Sequence, residues 1–155
     1  MSYQSVERSQ GTIQNIQMIQ NSLNPDARTV LDIGCNESIL TAHLENLGLI
    51  AAGIEGSNKA INDSRTFLAS NKNNLKVEHR LLKLEEIESL PDYDVIIFNS
   101  VHHQLVKNSG IEYANQFLIE LAKKAKLQFY FQPCTIHLKH GTKMPFIEND
   151  MNGIR

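Results

Sequence analysis

The side chains able to do chemistry stand where apolar runs end. Asp32 lies inside Val30-Leu31-Asp32-Ile33, two positions ahead of Gly34, and Glu55 closes the run Ile50–Ile54. Asn99, Ser100 and the pair His102-His103 follow Val95–Phe98. A carboxylate at Asp32 would accept hydrogen bonds from its own turn or from a ligand ammonium. A glycine at position 34 permits a tight turn and lets a ligand approach the amides that open the next helix. Glu55 stands about 20 residues beyond that turn, where the hydroxyl pair of a ribose needs an acceptor. Each feature alone has a plainer reading: a strand-to-helix turn for Gly34, a solvated turn acid for Glu55. Together they outweigh it.

The histidines leave three readings open. Histidine titrates near working pH, so His103 would serve as a general base taking a proton from a substrate. The pair would otherwise be structural. A metal site is the weakest reading, because adjacent histidines on a loop point apart and no carboxylate is spaced to join them. Cys35 and Cys134 are far apart and without CxxC spacing, which predicts neither a disulfide framework nor a zinc site. Cys134 reads as an ordinary thiol.

The elements that must position these groups follow from periodicity. Residues 3–23 carry Ile13, Ile16, Ile19 and Leu23 at helical spacing, with a break or start near Gly11, and Asn24-Pro25-Asp26 stops them. Val30–Ile33 predicts a buried strand, Ser38 an N-cap for a helix to Asn46, and Gly48 its stop. Ile50–Ile54 is a second strand; Ser57 or Asn58 caps a helix with Ile61, Ser64, Phe67 and Leu68 on one face. Leu75–Leu82 predicts a third strand with Val77, His79 and Leu81 on one side, followed by helical turns over Leu84–Leu90. Val95-Ile96-Ile97-Phe98 reads as a central parallel strand covered on both faces. A helix through Ile111, Phe117, Leu121 and Ala125, a fifth strand over Leu127–Phe131 and a short helix near Phe146–Met151 complete the prediction.

Strands alternating with helices predict an α/β fold: a doubly wound, mostly parallel sheet of about five strands in the order 3-2-1-4-5. Ligands of such sheets lie beyond the strand ends at the switch point, here residues 34–38, 55–57, 82–85 and 99–103. At 155 residues and 41% hydrophobic content the chain predicts one domain over 1–155, with an N-terminal helix (1–24), a core (29–133) and a short tail (134–155). The formal charge of −2 provides no basic field for nucleic acid or an anionic membrane, and the lysines at 123, 124 and 126 suit a helix C-terminus. No apolar run approaches the roughly 20 residues needed to span a bilayer, and the polar N-terminus carries no signal segment. A cytoplasmic protein is expected.

Three stretches carry a family resemblance. Val30-Leu31-Asp32-Ile33-Gly34-Cys35-Asn36, Gly53-Ile54-Glu55-Gly56-Ser57 and Tyr93-Asp94-Val95-Ile96-Ile97-Phe98-Asn99-Ser100-Val101-His102-His103 resemble, in order and spacing, three motifs of class I S-adenosylmethionine-dependent methyltransferases. The resemblance covers residues 30–133. It implies a Rossmann-like core that binds S-adenosylmethionine and releases S-adenosylhomocysteine. It places Asp32, Gly34, Cys35 and Asn36 near the amino-acid moiety, and Glu55, with Gly56 and Ser57, at the ribose. It places Asn99 and Ser100 near the sulfonium, and the backbone at Leu84, or a shifted Glu85, at the adenine. The family's glycines are replaced by Asn36 and Ser38, and its adenine-reading acid by Lys83.

Two function classes follow, and a third competes. The first is methyl transfer to an unidentified, small-molecule or other acceptor, with no metal. The second is a protein or subunit that binds the cofactor or its product without methylating alone, because the family's last two strands would have no counterpart after Pro133. A second copy or a partner would then cover the edge of the fifth strand. The third, a nicotinamide site, would want a fuller Gly-x-Gly-x-x-Gly turn than this chain has.

Overall fold

The computed structural model describes residues 6–99 and 101–133. Ser100, Cys134, the expected tail and the helix expected near Phe146–Met151 lie outside the described residues. Helix α1 (Val6–Ser22) precedes strand β1 (Thr29–Ile33), followed by α2 (Ile39–Asn46), β2 (Ile50–Glu55), α3 (Asn58–Ser70) and β3 (Lys76–His79). A 3₁₀ turn (Leu84–Glu86), β4 (Tyr93–Asn99), α4 (His102–Ser109), α5 (Ile111–Ala122) and β5 (Ala125–Gln132) complete the order. The five strands are all parallel, in the predicted order β3-β2-β1-β4-β5.

Strand periodicity splits the core in two. Successive side chains point to opposite faces. Val30, Val95 and Ile97 therefore pack with Ile19 of α1 and Leu44 of α2 on one face. Leu31, Ile33, Ile96 and Phe98 pack with Phe117 and Leu121 of α5 on the other. Residues 95–98 are wholly buried, as their unbroken apolar run requires when helices cover both faces.

At the opposite end from the turns that follow β1, β2 and β4, Asp94 clamps β4 to β1. Its Oδ2 accepts from the amides of Arg28 (2.8 Å) and Thr29 (3.0 Å), and its own amide donates to Thr29 Oγ1. The Arg28 amide leads the causes that hold its carboxyl below the usual range. The Asp of the third motif is thus a structural tie between strand starts.

Several expected boundaries shift. Helix α1 runs through Gly11 without a break. It meets β5 along Asn15, Ile19 and Ser22 rather than along Ile13, which is 54% exposed. Gln128, Tyr130 and Gln132 alternate on one face of β5, and all three bond α1 or the turn after it. Strand β3 is only four residues long, and Leu81 is 72% exposed beyond its end. The α5 helix stops at Ala122, and Ala125 opens β5. The lysines at 123, 124 and 126 lie near Glu120, Asp92 and Asp94 respectively, and Lys124 also donates to the carbonyls of Glu88 and Leu90. Among the described residues no helix is long and apolar enough to cross a membrane.

Candidate functional site

The turn after β1 is built from left-handed residues at alternate positions: Gly34 (φ 72°), Asn36 (φ 52°) and Ser38 (φ 64°). The Gly34 and Cys35 amides both donate to the carbonyl of Ile54, at 2.8 and 3.3 Å, which ties the turn to β2. A glycine is required at 34 twice over, because a Cβ there would also stand 2.3 Å from Cγ2 of Val101. Gly53 answers to a similar constraint: a Cβ would lie 2.6 Å from the Cys35 sulfur.

Asn36 tolerates this backbone well; Ser38 pays for it. Ser38 stands at the N-cap position of α2 but makes no side-chain cap bond, contrary to the expectation from sequence. Its hydroxyl is buried instead against Ser64 Oγ of α3 at 2.6 Å, and that bond offsets the left-handed strain. Ser38→Ala should keep the strain, orphan Ser64 and lose roughly 1–3 kcal/mol in urea denaturation. Ser38→Gly, which relieves the strain as it loses the bond, should stay within about 1 kcal/mol of wild type.

Two carboxylates flank the turn and differ in environment. Asp32 is 4% exposed, and its Oδ2 accepts from Thr41 Oγ1 of α2 at 2.7 Å. Burial pushes its carboxyl up to about 7; the Thr41 bond works against that and the nearby Glu55 charge reinforces it. Burial, then the charge of Asp32, pushes the neighbouring Cys35 thiol up to about 12, so it stays a neutral thiol near pH 7. Glu55 is half-buried and bridges two turns: Oε2 accepts from the Asn36 amide and Oε1 from the Ser57 amide, both at 2.8 Å. Each oxygen has further lone-pair capacity directed by this clamp. Ser57 Oγ accepts from the Ala60 amide and caps α3, one of the two caps expected there.

An open crevice runs along the turn. Asp32, Gly34, Cys35, Asn36 and Asn99 line it together, with Glu55 joined to them through Asn36. Glu37, inside the predicted span 34–38, is on the same walls; sequence reasoning missed Thr12 and Asn15 of α1 and Ile39 and Leu40 of α2 there, as well as Thr41 beneath. The α2 residues could have been found from the turn they follow; nothing local marks Thr12 or Asn15. Gly56 sits against Leu81. Leu84 is not brought to this crevice: its amide donates to Tyr113 Oη at 3.0 Å. Leu84 and Glu85 line a separate groove with the end of α5.

The histidines open helix α4 rather than riding on a loop. Consecutive helical residues are about 100° apart, so the two rings diverge. His102 is buried, its Nε2 pairs with Asn115 Oδ1 at 2.9 Å, and its ring meets Phe131 edge-on at 5.6 Å. It braces α4 against α5 and β5. His103 is half-buried on the same first turn. Among the described residues, no three His, Cys, Asp or Glu are grouped so as to hold a metal ion.

Comparison with known proteins bears on this arrangement. The family model described as "Methyltransferase domain" matches residues 31–127. A ubiquinone biosynthesis O-methyltransferase of Rickettsia bellii is 26% identical over 97 residues, which are 63% of this chain and 37% of that protein. The chain thus spans little more than a third of the length of that curated relative. Among solved structures, monomeric WbdD superposes with a TM-score of 0.66 at 22% identity, over 89% of this chain and 34% of that one. The magnesium protoporphyrin IX methyltransferase ChlM of Synechocystis PCC 6803, with bound SAM, gives 0.64 at 19% identity, over 81% and 58%.

Proposed function

This chain belongs to the methyltransferase domain family, and on that premise we propose that it binds S-adenosylmethionine and transfers its methyl group to a small-molecule acceptor. The observation that carries the cofactor reading is the Glu55 carboxylate, held by one amide from each of two turns at the switch point of the sheet. The residues present fit the group: a carboxylate oriented for a hydroxyl pair, a second one buried in the crevice, and a left-handed turn that leaves room for a ligand beside Gly34.

In this reading Asp32 receives the ammonium of the amino-acid moiety, while Gly34, Cys35 and Asn36 form the floor under it. Glu55 accepts from the two ribose hydroxyls, beside Gly56 and Ser57. Asn99 borders the sulfonium carbon. When bound, the cofactor supplies an electrophilic methyl group whose leaving group is a neutral thioether. The chain's own contribution is then to hold the acceptor in line and, for an acceptor that carries a proton, to remove it. His103 is the residue we assign to that proton. His103→Ala that folds and turns over at the wild-type rate would remove this assignment.

Calorimetry with S-adenosylhomocysteine tests the cofactor reading. The wild type should bind, and Glu55→Gln should bind about 10–100-fold more weakly, because each ribose hydroxyl loses a charged acceptor. No heat with the wild type would refute the reading.

A second reading is a cofactor binder without independent turnover. It is favoured by the contrast between a well-built cofactor side and His102, which is committed to Asn115. A methyl-transfer assay on cell extract separates the two. A cytoplasmic location fits either reading, as does a second copy or partner along the outer edge of β5, which pairs with no strand among the described residues.

A further inference from the structure

We propose that this chain holds its cofactor without reading the edge of the base, so that the 6-amino group of adenine adds nothing to affinity. The proposal rests on the reading of the crevice as an S-adenosylmethionine site. With the amino-acid part at the turn after β1 and the ribose on Glu55 at the end of β2, the base extends beyond the ribose, over the end of β3. Glu55 and His79 are in register there, and the Arg80 amide donates to the Glu55 carbonyl at 3.1 Å. The residues that follow β3 are thus the base's neighbours. A Cβ on Gly56 would stand 3.3 Å from Leu81 Cδ1, and Leu81 is 72% exposed, so the two residues offer an apolar face to a flat ring.

A site that reads adenine must offer an acceptor to its amino group. The acceptors from Lys83 to Glu86 are committed elsewhere. Glu86 Oε2 accepts from the Lys83 amide at 2.7 Å, and the Lys83 carbonyl accepts from the Glu86 amide at 3.0 Å. Glu86 Oε1 lies 3.5 Å from Arg80 Nη1, and Glu78 Oε2 lies 2.9 Å from Arg80 Nε. The Leu84 carbonyl accepts from the Ile87 amide at 3.2 Å, while Glu85 lines the groove beside α5. Lys83 is exposed at the head of this turn, and its ammonium has three donors and no acceptor. It can meet an oxygen at position 6 of a purine but not an amine.

Two probes separate this proposal from the reading beneath it: S-adenosylhomocysteine, and S-inosylhomocysteine, which carries an oxygen in place of the amine. Calorimetry on the full chain at pH 7 should show the wild type binding both. The inosyl compound should be no more than about threefold weaker, whereas a site that reads the amine would reject it about tenfold or more. Lys83→Asp sets an acceptor at the head of the turn and leaves the backbone bonds in place. It should create the missing discrimination, moving the ratio of the two affinities about tenfold or more against the inosyl compound. Leu81→Ser should weaken both probes alike by several-fold, as an apolar face with no contact to the edge requires. If the wild type binds neither probe, the cofactor reading falls and this proposal with it. If it binds S-adenosylhomocysteine and the inosyl compound is weaker than that range allows, the proposal falls and the reading stands. An unmoved ratio in Lys83→Asp, or a Leu81→Ser that leaves both affinities intact, would set the base away from this turn and would also overturn it.

Discussion

Asp32→Asn should abolish a loss of stability that the wild type suffers between pH 5 and pH 8. The native carboxyl titrates at about 7 against an ordinary value of 3.8, chiefly because it is buried. Between pH 5 and about 7 the folded state holds a proton that the unfolded state has released. The contribution to stability is therefore complete below pH 4, falls as pH rises, and is gone once pH passes the folded value. At ~1.4 kcal/mol per unit, the whole loss is on the order of 4–5 kcal/mol, and the part that falls above pH 5 is about 3 kcal/mol. An asparagine keeps an acceptor for Thr41 and never charges, so the variant should be the more stable protein at pH 8. Asp94 titrates below this window and Cys35 above it, so the difference between the two proteins in urea denaturation isolates Asp32. Parallel pH profiles would sink the assignment. On the cofactor reading the same group has a functional face. An ammonium lodged beside it favours the carboxylate, so affinity should rise as pH passes through about 7 and binding should release a proton.

Gly34→Ala should unfold more easily by roughly 2–5 kcal/mol, the sum of about 1–2 for a left-handed alanine and about 1–3 for overpacking. The new methyl group would stand 2.3 Å from Val101, the residue that opens α4, so either the turn or the start of that helix must move. Gly48 and Gly110 provide the control. Both have positive φ, at 100° and 89°, and a Cβ on either meets nothing within 4 Å. Gly48→Ala should therefore cost only the conformational part, about 1–2 kcal/mol. If the three substitutions cost the same, Val101 yields freely and the turn is less tightly packed than its geometry implies. The variant should also lose S-adenosylhomocysteine binding, since the shifted turn carries Asn36 and its bond to Glu55.

The chain's periodicity was enough to predict alternating strands and helices, a fully covered fourth strand and the switch-point location of Asp32, Gly34 and Glu55. These are local properties: apolar spacing reports which faces are buried, and a turn glycine or a strand-end acid is read within a few residues. Helix α4 escaped because His102 at its start reads as a loop residue until Asn115 and Phe131 are seen packed on it. Ser38 looked like a cap because its partner, Ser64, is on another helix. The pKa of Asp32 could not be read, since an acid in a strand declares its spacing but not its burial. Thr12 and Asn15 were invisible for the same reason. Their helix reaches the crevice only through bonds to β5 that span more than a hundred residues of chain. By itself the sequence determined which residues end the strands and where a ligand should lie. Only the tertiary structure decided which distant side chains wall that place and that Asp32 holds its proton up to about pH 7, because desolvation and long-range contact exist only once the layers have packed.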